Sequence, residues 1–147
     1  MRLRRKPWID EAIHEYDSHI ILENHGEHKG KWRELFEDPT KPLYMELGTG
    51  KGRFIAGMAE EHPEANFVGF EVQMGVIYYA AQKLYERNLS NAKVALFDIA
   101  GIEDIVESGE VDHFYINFCD PWPKAKHAKR RLTYRTFLDR YARLLKE

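Results

Sequence analysis

Residues 42–55 read PLYMELGTGKGRFI. A short apolar run, Leu43 to Leu47, meets Gly48, Gly50 and Gly52, and apolar residues then return at helical spacing. That order predicts a buried strand, a sharp turn and a helix. Phe54, Ile55, Met58 and Ala59 share one helical face, and Pro63 follows its stop. The pattern then repeats. NFVGFE (66–71) reads as a second strand. VQMGVIYYAAQKLYERN (72–88) reads as a helix with Val72, Val76, Ile77, Ala80, Ala81, Leu84 and Tyr85 at helical spacing and Asn88 at its close. KVALFD (93–98) is a third strand, a short helix near Ile102–Glu107 follows, and DHFYINF (112–118) is a fourth strand. YRTFLDRYARLL (134–145) has its apolar residues on one face of a helix, with Thr133 as its cap. Alternating strands and helices predict an α/β fold with a mainly parallel sheet covered on both faces. Residues 1–42 lack this rhythm. Pro7, Gly26, Gly30, Pro39 and Pro42 interrupt any period, and only a short helix near 31–36, carrying Trp32 and Phe36, is expected.

In such sheets ligands bind outside the carboxyl ends of the strands. Gly48, Gly50 and Gly52 follow the first strand there. Glu71 ends the second, 19 residues after Gly52, where a carboxylate can accept from ribose hydroxyls. Asp98 ends the third and suits an adenine amino group, and Asp120 follows the fourth. The glycine spacing is G-x-G-x-G, so the dinucleotide fingerprint is not met. Glu46 sits just before the loop, where a carboxylate would repel pyrophosphate but suit the ammonium or sulfonium of a cationic cofactor. An acidic set of Glu46, Glu71, Asp98 and Asp120 therefore favours S-adenosyl-L-methionine. Lys51 has no Walker pattern around it and reads as a solvated residue.

The chain has 147 residues, 31% charged and 44% hydrophobic, with a net charge of −2. That is ordinary for one soluble domain. No apolar run approaches the ~18 residues a membrane span needs, and the basic start lacks an apolar signal core. Cys119 is the single cysteine, so no internal disulfide and no cysteine-rich metal site are expected, and a reducing cytoplasm fits best. The charge is unevenly spread. Residues 1–9 hold four basic groups and no acid; residues 121–135 hold six and no acid; the rest carries 12 basic against 24 acidic groups. An acidic body with two basic patches can bind a polyanion locally.

The second patch follows a stiff turn, DPWPK (120–124). Pro121 and Pro123 fix φ. Trp122 offers a face for stacking on a base. Asp120 can accept from the donor edge of a guanine and offset the positive charge that grows as a ring nitrogen is alkylated. Lys124, Lys126, His127, Lys129, Arg130 and Arg131 follow as candidate phosphate contacts.

At these residues the chain resembles bacterial tRNA (guanine-N7-)-methyltransferases, a class I S-adenosylmethionine-dependent family. Four blocks carry the resemblance: MRLRRKPW, ELGTGKGRFI, GFE and NFCDPWPKAKHAKRRLTYRTFL. It implies a Rossmann-like class I methyltransferase three-layer sandwich and methylation of a guanine in the tRNA variable loop. By position it implies cofactor contacts from Glu46, Glu71, Asp98 and Asp120, catalysis by Asp120, a substrate contact from Lys124 and RNA contacts from 126–131. Cys119 stands where the family often has Pro or Ser, and Lys126 where Arg is usual. Family members continue into further strands bearing F-K-T-D and T-x-Y-E segments, which this sequence does not contain. The expected organisation is thus a basic N-terminal extension, 1–42, and a cofactor-binding domain, 43–147, whose C-terminal strands are missing. The partner is tRNA, with no membrane, and the protein a monomer or homodimer. Two other readings stay open on the residues alone: methylation of an exocyclic amine, and a non-catalytic module that binds RNA or cofactor.

Overall fold

A computed structural model describes residues 6–116 of the chain. Five parallel strands form one sheet: β1 (Ile20–Ile21), β2 (Leu43–Leu47), β3 (Asn66–Glu71), β4 (Ala92–Leu96) and β5 (His113–Ile116), in the order β1-β4-β3-β2-β5. Three helices, α1 (Ile9–Ala12), α2 (Arg53–Glu61) and α3 (Met74–Glu86), pack on one face. Turns of 3-10 helix at Trp32–Leu35 and Ile99–Asp104 cover the other. This is the three-layer α/β arrangement that the strand–helix alternation predicts.

The two-residue period of a strand explains the division of the core. Phe67 points to the α2–α3 face, while Val68 and Phe70 point to the opposite one. In β2, Leu43, Met45 and Leu47 all face Trp32, Ile102 and Val111. The alternate positions Tyr44 and Glu46 face the helices, so Glu46 is an acid on an otherwise apolar side.

The N-terminal segment contributes more than its sequence suggests. Ile20 and Ile21 add a strand beside Val94 and Ala95. Ile9, Ile13 and Tyr16 are buried with α3. A two-residue strand and a one-turn helix have no period of their own, so only tertiary contact reveals them. Trp32 is fully buried, and its indole N–H donates to the Ile105 carbonyl at 2.6 Å. The expected helix near Ile102–Glu107 begins earlier, at Ile99. Val72 precedes α3 and is exposed, as is Tyr85, so the buried stripe of α3 is Ile77, Tyr78, Ala80, Ala81 and Leu84. No helix among the described residues is long and apolar enough to cross a membrane.

One buried acid clamps this segment to the sheet. Glu110 accepts from the backbone N–H of Gly30 (2.9 Å), Trp32 (3.0 Å) and Glu107 (2.9 Å). Arg33 donates to the Glu110 carbonyl at 3.0 Å and to Asp112 Oδ2 at 2.7 Å, and the same Asp112 oxygen accepts from Leu43 N at 2.7 Å. Truncating Glu110 strands three backbone donors. Glu110→Ala should therefore destabilise the protein by ~3 kcal/mol or more, whereas Glu64→Ala, which removes an exposed pair with His62, should cost under ~0.5 kcal/mol. Urea midpoints at neutral pH compare the two.

Two histidines flank β1. His19 Nε2–H donates to Leu89 O at 3.1 Å, and His25 Nε2–H donates to Ile21 O at 3.1 Å with its ring 5.0 Å from that of Phe97. Burial first, and then Lys93 beside His19 and His28 beside His25, lower both pKa values from 6.5. The unfolded chain therefore binds protons that the folded one does not. Stability is full above about pH 6.5 and falls as the pH drops through the lowered values. The His19→Gln, His25→Asn double variant should show a flatter loss of melting temperature between neutral and mildly acidic pH.

Candidate functional site

The chain runs from β2 through β3 to β4 on one side of the sheet, then returns to place β5 on the other side of β2. The reversal opens a crevice at the carboxyl ends of β2 and β5. There Leu47 pairs with Ile116, the last described residue.

The glycine loop lies at this crevice. Gly48, Gly50 and Gly52 all have positive φ, at 77°, 58° and 83°. L side chains disfavour that region, so an alternating glycine pattern is what lets the chain turn twice before α2 starts. The N–H groups of Gly48 and Thr49 both donate to Phe70 O, at 3.0 and 2.8 Å. The glycines differ in what surrounds them. A Cβ at Gly52 would lie 2.9 Å from Ala80, so this residue lets the loop press on α3. A Cβ at Gly50 would meet nothing within 4 Å. Gly50 is the point at which the loop presents bare backbone to open space.

Glu71 holds the loop. One carboxylate oxygen accepts from Gly50 N at 3.1 Å; the other accepts from Val72 N and Gln73 N, both at 3.1 Å. The group thus ties the turn after β2 to the turn after β3. A carboxylate offers about four acceptor positions, so about one remains for a ligand hydroxyl.

Glu46 sits beneath the loop rather than at its lip. It is 3% exposed, and its Oε1 accepts from the Thr49 hydroxyl. Thr49 itself is 3% exposed and lies over Gly69, where an added Cβ would come within 2.7 Å of the Thr49 Cβ. Gly69 is therefore required for Thr49 to reach Glu46, which pairs across to Gly69 in the sheet. Neither Thr49 nor Gly69 emerges from the sequence reading. The one available signal was a glycine inside a strand, which marks a close approach.

Asp98 lies two residues past Leu96, the β4 partner of Glu71. It is exposed and caps the following turn, with Oδ1 accepting from Ala100 N at 2.9 Å. The structure therefore joins Gly50 to Glu71 and sets Asp98 at the same end of the sheet, with Glu46 buried beneath the loop. Lys51 is exposed, with its ammonium 5.6 Å from the Tyr79 ring centre. Asp120, Trp122, Lys124, Lys126, His127, Lys129, Arg130 and Arg131 lie outside the described residues, as do Cys119 and the helix expected over 134–145.

Comparison with known proteins agrees with the fold. Residues 40–147 match the family model described as "Putative methyltransferase". The tRNA (guanine-N(7)-)-methyltransferase of Streptococcus agalactiae is 44% identical over all 147 residues, which span 69% of that protein. Its Streptococcus pneumoniae counterpart is 43% identical over the same lengths. Among solved structures, a Haemonchus contortus phosphoethanolamine N-methyltransferase with bound S-adenosylhomocysteine aligns at a TM-score of 0.57 and 18% identity, covering 73% of this chain and 22% of that one. An antibiotic-related methyltransferase aligns at 0.56 and 15% identity, covering 99% and 62%. These two likenesses concern the fold; the full-length identities go further, and with them the chain belongs to the tRNA (guanine-N(7)-)-methyltransferase family.

Proposed function

We propose that this protein transfers the methyl group of S-adenosyl-L-methionine to N7 of a guanine in the variable loop of tRNA, in the cytoplasm. The observation that carries this reading is the 44% identity along the whole chain to a tRNA (guanine-N(7)-)-methyltransferase. The geometry supports it. The likeness to an amine methyltransferase, at 18% identity, speaks for the fold alone.

The residues present fit the cofactor. Bare backbone at Gly50 faces open space, the last acceptor position of Glu71 suits a ribose hydroxyl, and Asp98 stands exposed beside it. When bound, S-adenosylmethionine supplies a methyl carbon made electrophilic by its sulfonium. The chain's own work is to hold and orient. Gly48, Gly50 and Gly52 shape the surface against which the cofactor rests. Glu71 fixes that surface and directs the ribose. Glu46 adds acidic character beneath it.

Guanine N7 bears no proton, so its lone pair attacks without a general base. What the reaction needs is alignment and compensation for the positive charge that develops on the purine. Asp120 is assigned that compensation, together with a hydrogen bond from the guanine edge. It lies four residues beyond Ile116 in sequence, within ~14 Å of chain reach from the crevice. Trp122 is assigned to stacking, and Lys124 to the substrate. Lys126, His127, Lys129, Arg130 and Arg131 are assigned to the phosphates.

Transfer of labelled methyl groups to bulk tRNA, followed by nucleoside analysis, tests the assignment. The product should be 7-methylguanosine; a labelled exocyclic amine would refute it. Asp120→Ala should lower turnover by ~10²-fold or more with tRNA affinity little changed, as expected for loss of transition-state charge stabilisation. Gly50→Ala and Gly69→Ala should separate in kind. The first puts a methyl group into the open cofactor face and should raise the KM for S-adenosylmethionine roughly tenfold while costing only ~1–2 kcal/mol of stability. The second overpacks the interior against Thr49 and should cost ~1–3 kcal/mol of stability. Thermal melts with and without S-adenosylhomocysteine distinguish them.

A further inference from the structure

A group of cations beside the glycine loop comes from outside the 124–135 run. Lys6 closes the basic stretch that opens the sequence, and the fold sets it against α3. Its ammonium donates to the Tyr79 hydroxyl at 3.3 Å and lies 5.7 Å from the ring centre. Lys51, inside the loop, brings a second ammonium to 5.6 Å from the same ring. Lys83, one turn along α3, donates to the Lys51 carbonyl at 3.1 Å. Among the described residues none of these three is in a salt bridge. Burial, and then the neighbouring Arg87, Arg53 and Lys51 cations, hold the Lys83 pKa below its usual value. Like charges gathered without a salt bridge among the described residues favour an anion as partner.

The cluster is also aromatic. Trp8 is 51% exposed and meets Tyr78 edge-on at 5.2 Å; Tyr78 in turn meets Tyr79 at 5.2 Å. Tyr78 is buried and Tyr79 half-buried, so Trp8 is the exposed ring of the cluster; cations around one exposed ring suit a nucleic-acid strand, which offers phosphates and a base face together. We infer that Lys6, Lys51 and Lys83, with Trp8 and Tyr79 among them, form a second phosphate-docking face for the RNA substrate, on the glycine-loop side of the crevice. This rests on the tRNA reading above. It gives the substrate a second basic hold, built from Lys6, Lys51 and Lys83, in addition to the 124–131 run.

The test uses the full chain, bulk tRNA and S-adenosylhomocysteine as probes. In the Lys6→Gln, Lys51→Gln double variant, the slope of log affinity for tRNA against log salt should fall by about 1–2, at ~0.7–0.9 for each phosphate no longer neutralised. S-adenosylhomocysteine affinity should stay within about twofold. The Lys6→Arg, Lys51→Arg variant should restore the slope. Tight tRNA binding with an unchanged slope in the Gln variant would overturn the inference and leave the methyltransferase reading intact. An equal loss in the Arg and Gln variants would also overturn it, because charge would not be the cause. Failure of the wild-type chain to bind tRNA at all would overturn both.

Discussion

The site depends on one carboxylate shared between two turns. Glu71 takes three backbone N–H groups, from Gly50, Val72 and Gln73. A glycine loop with three positive φ values has high conformational freedom when unfolded, and fixing it is entropically costly. Charge-assisted hydrogen bonds are about twice as strong as neutral ones, so a single acid can offset that cost at several points. It also ties the turn after β2 to the turn after β3. Thr49 and Glu46 complete the support from below, with Gly69 leaving the space they need.

The same device holds the other face of the sheet. Glu110 gathers the N–H groups of Gly30, Trp32 and Glu107, and Asp112 joins Arg33 to the start of β2. In both places a side-chain acid satisfies irregular backbone that no ladder reaches, and at Trp32 this is the condition for burying it. The irregular N-terminal third is thereby made part of the sheet's architecture. It supplies β1 at one edge, and it delivers Lys6 and Trp8 to the surface of α3.

What could be read in advance was whatever the chain states locally. The run Leu43–Leu47, its glycines and the faces of α2 and α3 repeat with the periods of their own elements, so they were legible. Glu71 was singled out by its spacing from the glycines, whereas its use as a clamp on backbone left no signal in the sequence. Ile20–Ile21 escaped because two residues have no period; their strand exists only through Val94 and Ala95. Thr49 over Gly69 escaped because the contact requires the register between β2 and β3. Lys6 against Tyr79 joins residues 73 apart. Asp98 illustrates a different limit: an acid after a strand looks the same whether it caps a turn or awaits a ligand, and here it does the first while staying exposed to the second. Val72 and Tyr85 match the helical stripe by spacing alone, yet α3 starts after the one and leaves the other on its rim.

The close approach of Gly52 to Ala80, reinforced by the bond from Lys83 to Lys51 O, leaves no slack between α2's leading turn and α3. The two are therefore coupled, and a shift of one presses on the other. Local openings that expose the amide of Gly50 then draw on the packing of α3's apolar stripe, so the glycine loop is held by one of the best-buried helices among the described residues. A family that kept this pair small would retain a stiff glycine loop whatever its outer surface became.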